Sequence, residues 1–278
     1  MQLESFPHGL KPNRRLGQHF LVDRDLQKKL VRYASLKKDD VVLEVGPGDG
    51  AITSMMAEIT GKVIAIEKDP RLVELLRRRF NALRTVEIIE GDVLRQRLPD
   101  FNKIVSNIPY YISSKFMLLL TKKTFELAIL TLQKEFAQKL MAKNGTPGYR
   151  RVTVAVQQKM TVDMLDPVPR QSFYPIPKVD SVIVVLKPRQ NPHWLSDQSL
   201  FDELVRELFT QRRKRVEKVL THYLKSKMRG LDRDLVRELK PPNSRVYEMT
   251  VKEFEELSNG LSSALKERIQ FQSSCKDN

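Results

Sequence analysis

Asn107-Ile108-Pro109-Tyr110 sets an amide, a proline and an aromatic ring side by side, one residue after the apolar run Lys103-Ile104-Val105 and just before Ser113-Ser114. An amide oxygen and the Ile108 carbonyl can accept both hydrogens of an exocyclic NH2, while a phenol ring stacks on the heterocycle that carries it. Pro109 fixes φ and removes a competing backbone donor. The chemistry this suits is a grip on a planar aromatic amine. A strand that merely ends in a proline turn would use the same residue types, so the surroundings of the motif decide its meaning.

Further ligand-type residues stand at the ends of other apolar runs. Glu44-Val45-Gly46-Pro47-Gly48-Asp49-Gly50 follows Val41-Val42-Leu43 and precedes a helical pattern beginning near Ala51. Glycines there allow a tight turn and let a ligand lie against main-chain atoms, with helix N–H groups facing it. The spacing is not the G-x-G-x-x-G of dinucleotide folds. Glu67 closes the run Lys62–Ile66, where an acid can accept hydrogen bonds from ribose hydroxyls, and Gly91-Asp92 follows Val86–Glu90, where a carboxylate can receive an amino group. Gly46, Glu67, Asp92 and Asn107 thus lie at successive strand tips, on the edge where open α/β sheets bind ligands.

The elements that must hold these tips follow from periodicity. Short β-branched runs alternate with helical patterns from residue 40 onward; Leu72, Leu75, Leu76 and Phe80 recur at helical spacing, and Asp69-Pro70 reads as a cap followed by proline at the first helical position. The run 126–132 makes a fifth strand. This alternation predicts a parallel sheet with helices on both faces. Val152–Val156, extended toward Leu165, and Ser181–Leu186 are predicted as an antiparallel strand pair at the sheet edge. Lys187-Pro188-Arg189-Gln190-Asn191-Pro192 reads as a linker, and beyond it only helical patterns recur. The expected organisation is an α/β catalytic domain over 1–187 and a small, basic, all-helical domain over 188–278.

With 278 residues, 41% hydrophobic and 30% charged, the chain has the composition of a globular protein, and no apolar stretch reaches the ~18 residues a membrane span requires. Met1–Ser5 and Pro7 do not resemble a secretory leader, and the only cysteine, Cys275, excludes an internal disulfide framework and a cysteine zinc site; no metal is expected and a cytoplasmic location is. The net charge is +15. Between Arg206 and Arg229 stand nine basic residues (Arg206, Arg212, Arg213, Lys214, Arg215, Lys218, Lys225, Lys227, Arg229) against Glu207 and Glu217. A solvated helix face normally alternates sign, so this excess points to a polyanion such as nucleic acid. It lacks the Trp/Phe/Leu stripe of a membrane-surface helix.

Taken together, these motifs resemble the S-adenosylmethionine-dependent rRNA adenine dimethyltransferase family over nearly the whole chain. Leu16-Gly17-Gln18-His19-Phe20-Leu21 is similar to its N-terminal cofactor motif, with His19 where many members carry asparagine. Glu44–Gly50, Glu67 and Gly91-Asp92 resemble its cofactor contacts. Ser106–Tyr110 resembles its catalytic motif, with Ile108 where leucine is common. Phe173-Tyr174-Pro175-Ile176-Pro177-Lys178-Val179-Asp180-Ser181 is similar to a late hallmark motif, and Phe209–Lys214 to a segment of the helical domain. The resemblance implies a Rossmann-like class I methyltransferase sheet. It implies S-adenosylmethionine contacts by His19, Leu21, Gly46, Gly48, Glu67, Asp92 and Asn107. Catalysis would fall to Asn107, Ile108, Pro109 and Tyr110, with Phe173 as a second aromatic wall for the base. RNA contacts are expected from Arg212, Arg213, Lys214, Arg215 and Lys218.

The implied substrate is a pair of adjacent adenosines in the 3′-terminal hairpin loop of small-subunit rRNA, presented to a monomeric enzyme within a pre-assembled subunit. Other readings stay open: the same chemistry on large-subunit rRNA, a non-catalytic nucleic-acid-binding factor on the same fold, and a DNA adenine methyltransferase.

Overall fold

The computed structural model describes residues 11–190, 194–227 and 233–274. The Met1–Ser5 and Pro7 segment, the 191–192 end of the expected linker, Arg229 and Cys275 lie outside them. After a short strand β1 (Phe20–Leu21) and helix α1 (Arg24–Tyr33) come β2 (Val41–Val45), α2 (Ala51–Ala57), β3 (Lys62–Glu67), α3 (Pro70–Arg79), β4 (Val86–Glu90), β5 (Lys103–Asn107), α4 (Ser113–Leu120) and β6 (Leu127–Gln133). Helices α5 (Lys134–Leu140) and α6 (Arg151–Lys159) precede β7 (Met160–Val168), β8 (Phe173–Tyr174) and β9 (Ser181–Pro188). The chain then turns helical: α7 (Gln198–Thr210), α8 (Val216–Lys227), α9 (Arg233–Leu239) and α10 (Val251–Ser274).

One seven-stranded sheet has the order β4-β3-β2-β5-β6-β9-β7. Strands β4 to β6 pair in parallel, and β9 and β7 run antiparallel at one edge. Alternate residues of the central strands are buried on opposite faces. Val42, Val63, Val105 and Ile129 share a core with Leu30 of α1 and Met56 of α2, while Leu43, Ile64, Ile104 and Leu130 are buried as well. A parallel sheet covered on both faces needs such unbroken apolar strands, and the expected Rossmann-like sheet is the observed one.

Residues 152–156 are a correction. They belong to α6, not to a strand, and only β7 from Met160 onward pairs with β9. The Val152–Val156 run is buried nearly all round, so it carries neither a helical nor an alternating stripe, and a buried helix then reads as a buried strand.

Packing divides the chain into two compact units: residues up to Gln138 with Met160–Pro188, and Lys139–Lys159 with the residues from Arg189 onward. The chain leaves the first unit after Gln138, returns at Met160 and leaves it again after Pro188. In the second unit Tyr149 and Val154 share a core with Phe201, Leu204 and Leu208 of α7, Val216 and Leu220 of α8, Leu235 of α9, and Phe254 and Leu257 of α10. Among the described residues no helix is long and apolar enough to cross a membrane.

Candidate active site

Strand order reverses between β2 and β5: β3 and β4 extend the sheet to one side, β6 and the antiparallel pair to the other. At such a switch point the loops after the two central strands diverge and leave a crevice. Gly46–Gly50 follows β2, and Asn107–Tyr110 ends β5. Both line a cleft of about 940 Å³, open mouth included, with His19, Leu21, Glu67 and Asp92 also on its walls.

The glycine loop is shaped for close approach. Gly48 has φ +63°, and a Cβ there would come 2.8 Å from the Phe20 ring; Gly50, the N-cap of α2, has φ +81°. Neither backbone suits an L side chain. Glu44 lies beneath the loop, 1% exposed, and accepts a hydrogen bond from Thr53 Oγ1 at 2.6 Å. Burial, reinforced by the charges of Asp49 and Glu67, pushes its carboxyl up to about 8 against the lowering hydrogen bond from Thr53.

At the β3 tip, Glu67 Oε1 accepts the backbone N–H groups of Lys68 and Asp69, each at 2.8 Å. Its carboxyl is raised by burial, opposed by those bonds and one from the Gly48 backbone. Asp69 caps α3, as its place before Pro70 predicts, and Arg71 holds it bidentately, Nε to Oδ1 at 3.0 Å and Nη2 to Oδ2 at 2.6 Å. At the β4 tip, Asp92 accepts from the Leu94 N–H at 3.0 Å and from Lys68 Nζ at 3.0 Å. Desolvation pushes Asp92 upward, but these two partners and nearby Arg95 hold it below the usual carboxylate range.

The segment 13–22 crosses over this cleft and is pinned along its length. Gln18 Nε2 donates to Asp69 Oδ2 at 3.0 Å, and His19 Nδ1 lies 2.7 Å from the Pro175 carbonyl. A carbonyl only accepts, so Nδ1 carries the proton there. Phe20 and Leu21 pair with Tyr174 and Phe173, and Gln27 Nε2 donates to the Leu21 carbonyl at 2.5 Å.

Asn107 is fixed by the same segment. Its Nδ2 donates to the His19 carbonyl at 3.0 Å, which settles which way the amide points. Its Oδ1 is buried and has no protein partner. A buried acceptor without a donor is costly, so an acceptor held this way on a cleft wall is suited to a donor from a ligand. Tyr110 begins the turn that follows Pro109. Its hydroxyl lies 2.6 Å from Ser181 Oγ, and its ring is nearly parallel to the His19 imidazole, 23° between planes at 5.6 Å.

Phe173, expected as a second aromatic wall, lies next to Tyr110 but largely in the core. It is 2% exposed, in register with Leu21, and packed in the core with Leu26, Val168 and Ile183. Its ring meets Tyr110 edge-on, at 73° and 6.4 Å, and it does not line the cleft. Pairing of β8 with β1 sets the Phe173 ring in the core, edge-on to Tyr110. Gln18, Lys68 and Ser181 were missed as contributors. Gln18 and Ser181 sit inside the two motifs singled out above, which was the available signal, but their partners lie 51 and 71 residues away.

In the second unit the expected RNA-binding residues divide. Arg213, Lys214, Arg215 and Lys218 are exposed. Arg212 is half-buried and turned inward: Nη1 donates to the carbonyls of Tyr149 at 2.7 Å and Pro147 at 3.3 Å, and the guanidinium lies 5.5 Å from the centre of the Tyr247 ring. These contacts occupy Nη1 and one face of the guanidinium and tie Arg212 to its own unit, while Nε and Nη2 carry three further N–H donors. Lys214, Arg215, Lys218 and Arg237 line one groove.

A family model described as ribosomal RNA adenine dimethylase matches residues 9–259. A Thermococcus sibiricus protein named "Probable ribosomal RNA small subunit methyltransferase A" is 40% identical over 261 residues, covering 91% of this chain and 93% of that protein. Among solved structures, a dimethyladenosine transferase from Plasmodium falciparum superposes with a TM-score of 0.72 at 29% identity, covering 86% of this chain and 95% of the other. The 23S rRNA methyltransferase ErmE superposes with a TM-score of 0.62 at 28% identity, covering 87% and 99%.

Proposed function

The chain belongs to the ribosomal RNA adenine dimethylase family, and from that premise we propose that it methylates N6 of two adjacent adenosines in the 3′-terminal hairpin loop of small-subunit rRNA, to N6,N6-dimethyladenosine, during ribosome biogenesis. The methyl donor is S-adenosylmethionine, whose sulfonium supplies an electrophilic methyl group. The substrate is a pre-assembled small subunit, and the enzyme acts as a monomer in the cytoplasm.

The observation that carries this reading is the amide of Asn107, a residue that lines the cleft: Nδ2 is tied to the His19 carbonyl, and Oδ1 is buried and unpartnered. Adenine N6 is a poor nucleophile because its lone pair is delocalised into the ring. Accepting the N6 hydrogens at Asn107 Oδ1 and the Ile108 carbonyl favours a tetrahedral nitrogen whose lone pair is free to attack. Pro109 keeps the turn rigid, and Tyr110 offers a face to the swung-out base. N6 becomes acidic as it gains the methyl, so positioning and electrostatics do most of the work and no strong base is required.

The residues on the cleft also fit the donor. Gly46 and Gly48 leave a side-chain-free surface for its amino-acid portion, Glu67 offers carboxylate oxygen to the ribose, and Asp92 offers the same to the adenine amine. Leu21 lends an apolar wall. His19, protonated at Nδ1, presents Nε2 as a second polar contact.

Replacing Asn107 with alanine is expected to lower turnover by two or more orders of magnitude, as loss of a preorganised contact does elsewhere, with a modest fall in S-adenosylmethionine affinity. Near-normal turnover would remove Asn107 from this role. The superposition on ErmE favours one second reading, the same chemistry on large-subunit rRNA. Methyl transfer to isolated small and large subunits, read by mass spectrometry of the rRNA, separates the two.

A further inference from the structure

Ser181 opens β9 and is fully buried, with its backbone registered against Gln133 of β6 on one side and Val168 of β7 on the other. Its backbone is thus held by a neighbouring strand on each side. Its hydroxyl meets the Tyr110 hydroxyl at 2.6 Å. Tyr110 has far less holding it: it lies in a 3₁₀ turn, Tyr110–Ile112. Its ring contacts are a stack with His19 and an edge contact with Phe173. Aromatic contacts of that kind tolerate rotation and sliding. Among the described residues the hydroxyl pair is the one directional contact on the phenol.

We propose that Ser181 is a positioning residue, whose hydroxyl anchors the Tyr110 ring at the angle on which the target adenine stacks. The proposal rests on the reading of Tyr110 as the base-stacking ring and adds to it what aims that ring. Burial, with the charge of Asp180 behind it and against the Ser181 bond, raises the Tyr110 phenol, which therefore keeps its proton and can donate to Ser181. Ser181 is not among the residues lining the cofactor cleft. Its loss acts on the acceptor side of the reaction and leaves donor binding alone.

The test is a double-mutant cycle between Ser181→Ala and Tyr110→Phe, each of which removes the same hydroxyl contact. Each single substitution is expected to lower kcat on small subunits about tenfold, the size of one buried hydrogen bond. KM for the subunit and calorimetric affinity for S-adenosylmethionine should stay near wild type. The double variant should also lose about tenfold rather than about a hundredfold, because only one contact exists to remove. Ser181→Thr, which keeps the hydroxyl, should recover most of kcat. Additive losses, or an undiminished kcat in Ser181→Ala, overturn the proposal. If Ser181→Ala does not fold, Tyr110→Phe carries the test: an unchanged kcat overturns the anchor, and a tenfold loss with intact donor affinity upholds it. Tyr110→Ala keeps the two readings apart. Wild-type turnover there sinks the stacking role itself, whereas a severe loss there beside silent Ser181→Ala and Tyr110→Phe sinks only the anchor.

Discussion

Glu44 shows how a single carboxyl beneath the glycine loop links this fold to pH. Its folded value, about 8, stands above the ordinary 4.5 because burial penalises the charged form. The folded protein therefore keeps a proton on Glu44 through a window in which the unfolded chain has lost it. The stability this contributes is complete below about pH 4.5 and is lost as pH rises through about 8. Glu44→Gln, which still offers Thr53 an acceptor, should flatten the fall in Tm across that window; an unchanged slope would mean that Glu44 is ionised in the fold. Residues of this kind were only half legible in the sequence. Asn107, Glu67 and Asp92 stand out because each ends an apolar run, and chain position alone puts them on one sheet edge. What turns the Asn107 amide is the His19 carbonyl, 88 residues away. No spacing rule encodes that pairing, nor the packing that rotates Phe173 into the core.

Among the elements, strands β2 to β6 were readable because β-branched runs bounded by turn residues have one plausible use in an α/β chain. Helix α6 was not, since burial on nearly every side erases the stripe that marks a helix. The segment 13–22 was legible as a motif and illegible as an element: it is held by side-chain and loop bonds to Asp69, Asn107, Ser172 and Pro175 and by pairing with the two-residue β8, not by a ladder of the main sheet. Gly48 is where this segment meets the glycine loop. Gly48→Ala combines a positive φ, which costs a non-glycine residue about 1–2 kcal/mol, with a Cβ 2.8 Å from the Phe20 ring. Phe20 has to shift, and the segment over the cleft with it. The expected result is a Tm lowered by several degrees and S-adenosylmethionine affinity reduced by about tenfold. Wild-type affinity would show that the segment gives way without disturbing the cleft.

At the scale of the whole molecule, the +15 charge becomes meaningful only after its members are sorted by what they touch. Arg206 is partnered by Glu203 and Glu207, and Arg212 by carbonyls, whereas Lys214 and Lys218 are exposed on one groove. Lys214→Ala with Lys218→Ala should weaken binding to small-subunit RNA and reduce the slope of log affinity against log salt by about two, with Tm unchanged. Arg212→Ala should instead lower stability by about 1.5–3 kcal/mol, the worth of charge-assisted hydrogen bonds, and leave that slope nearly alone. The opposite pattern would place Arg212 on the RNA surface. The path of the chain carries a last consequence. Because Lys139–Lys159 belongs with the helices beyond Arg189, a protein shortened at residue 188 would not be a tidy catalytic fragment. Tyr149 and Val154 would be left as an internal loop shorn of the α7, α8 and α10 side chains that enclose them, a greasy, protease-sensitive excursion in the middle of the remaining polypeptide.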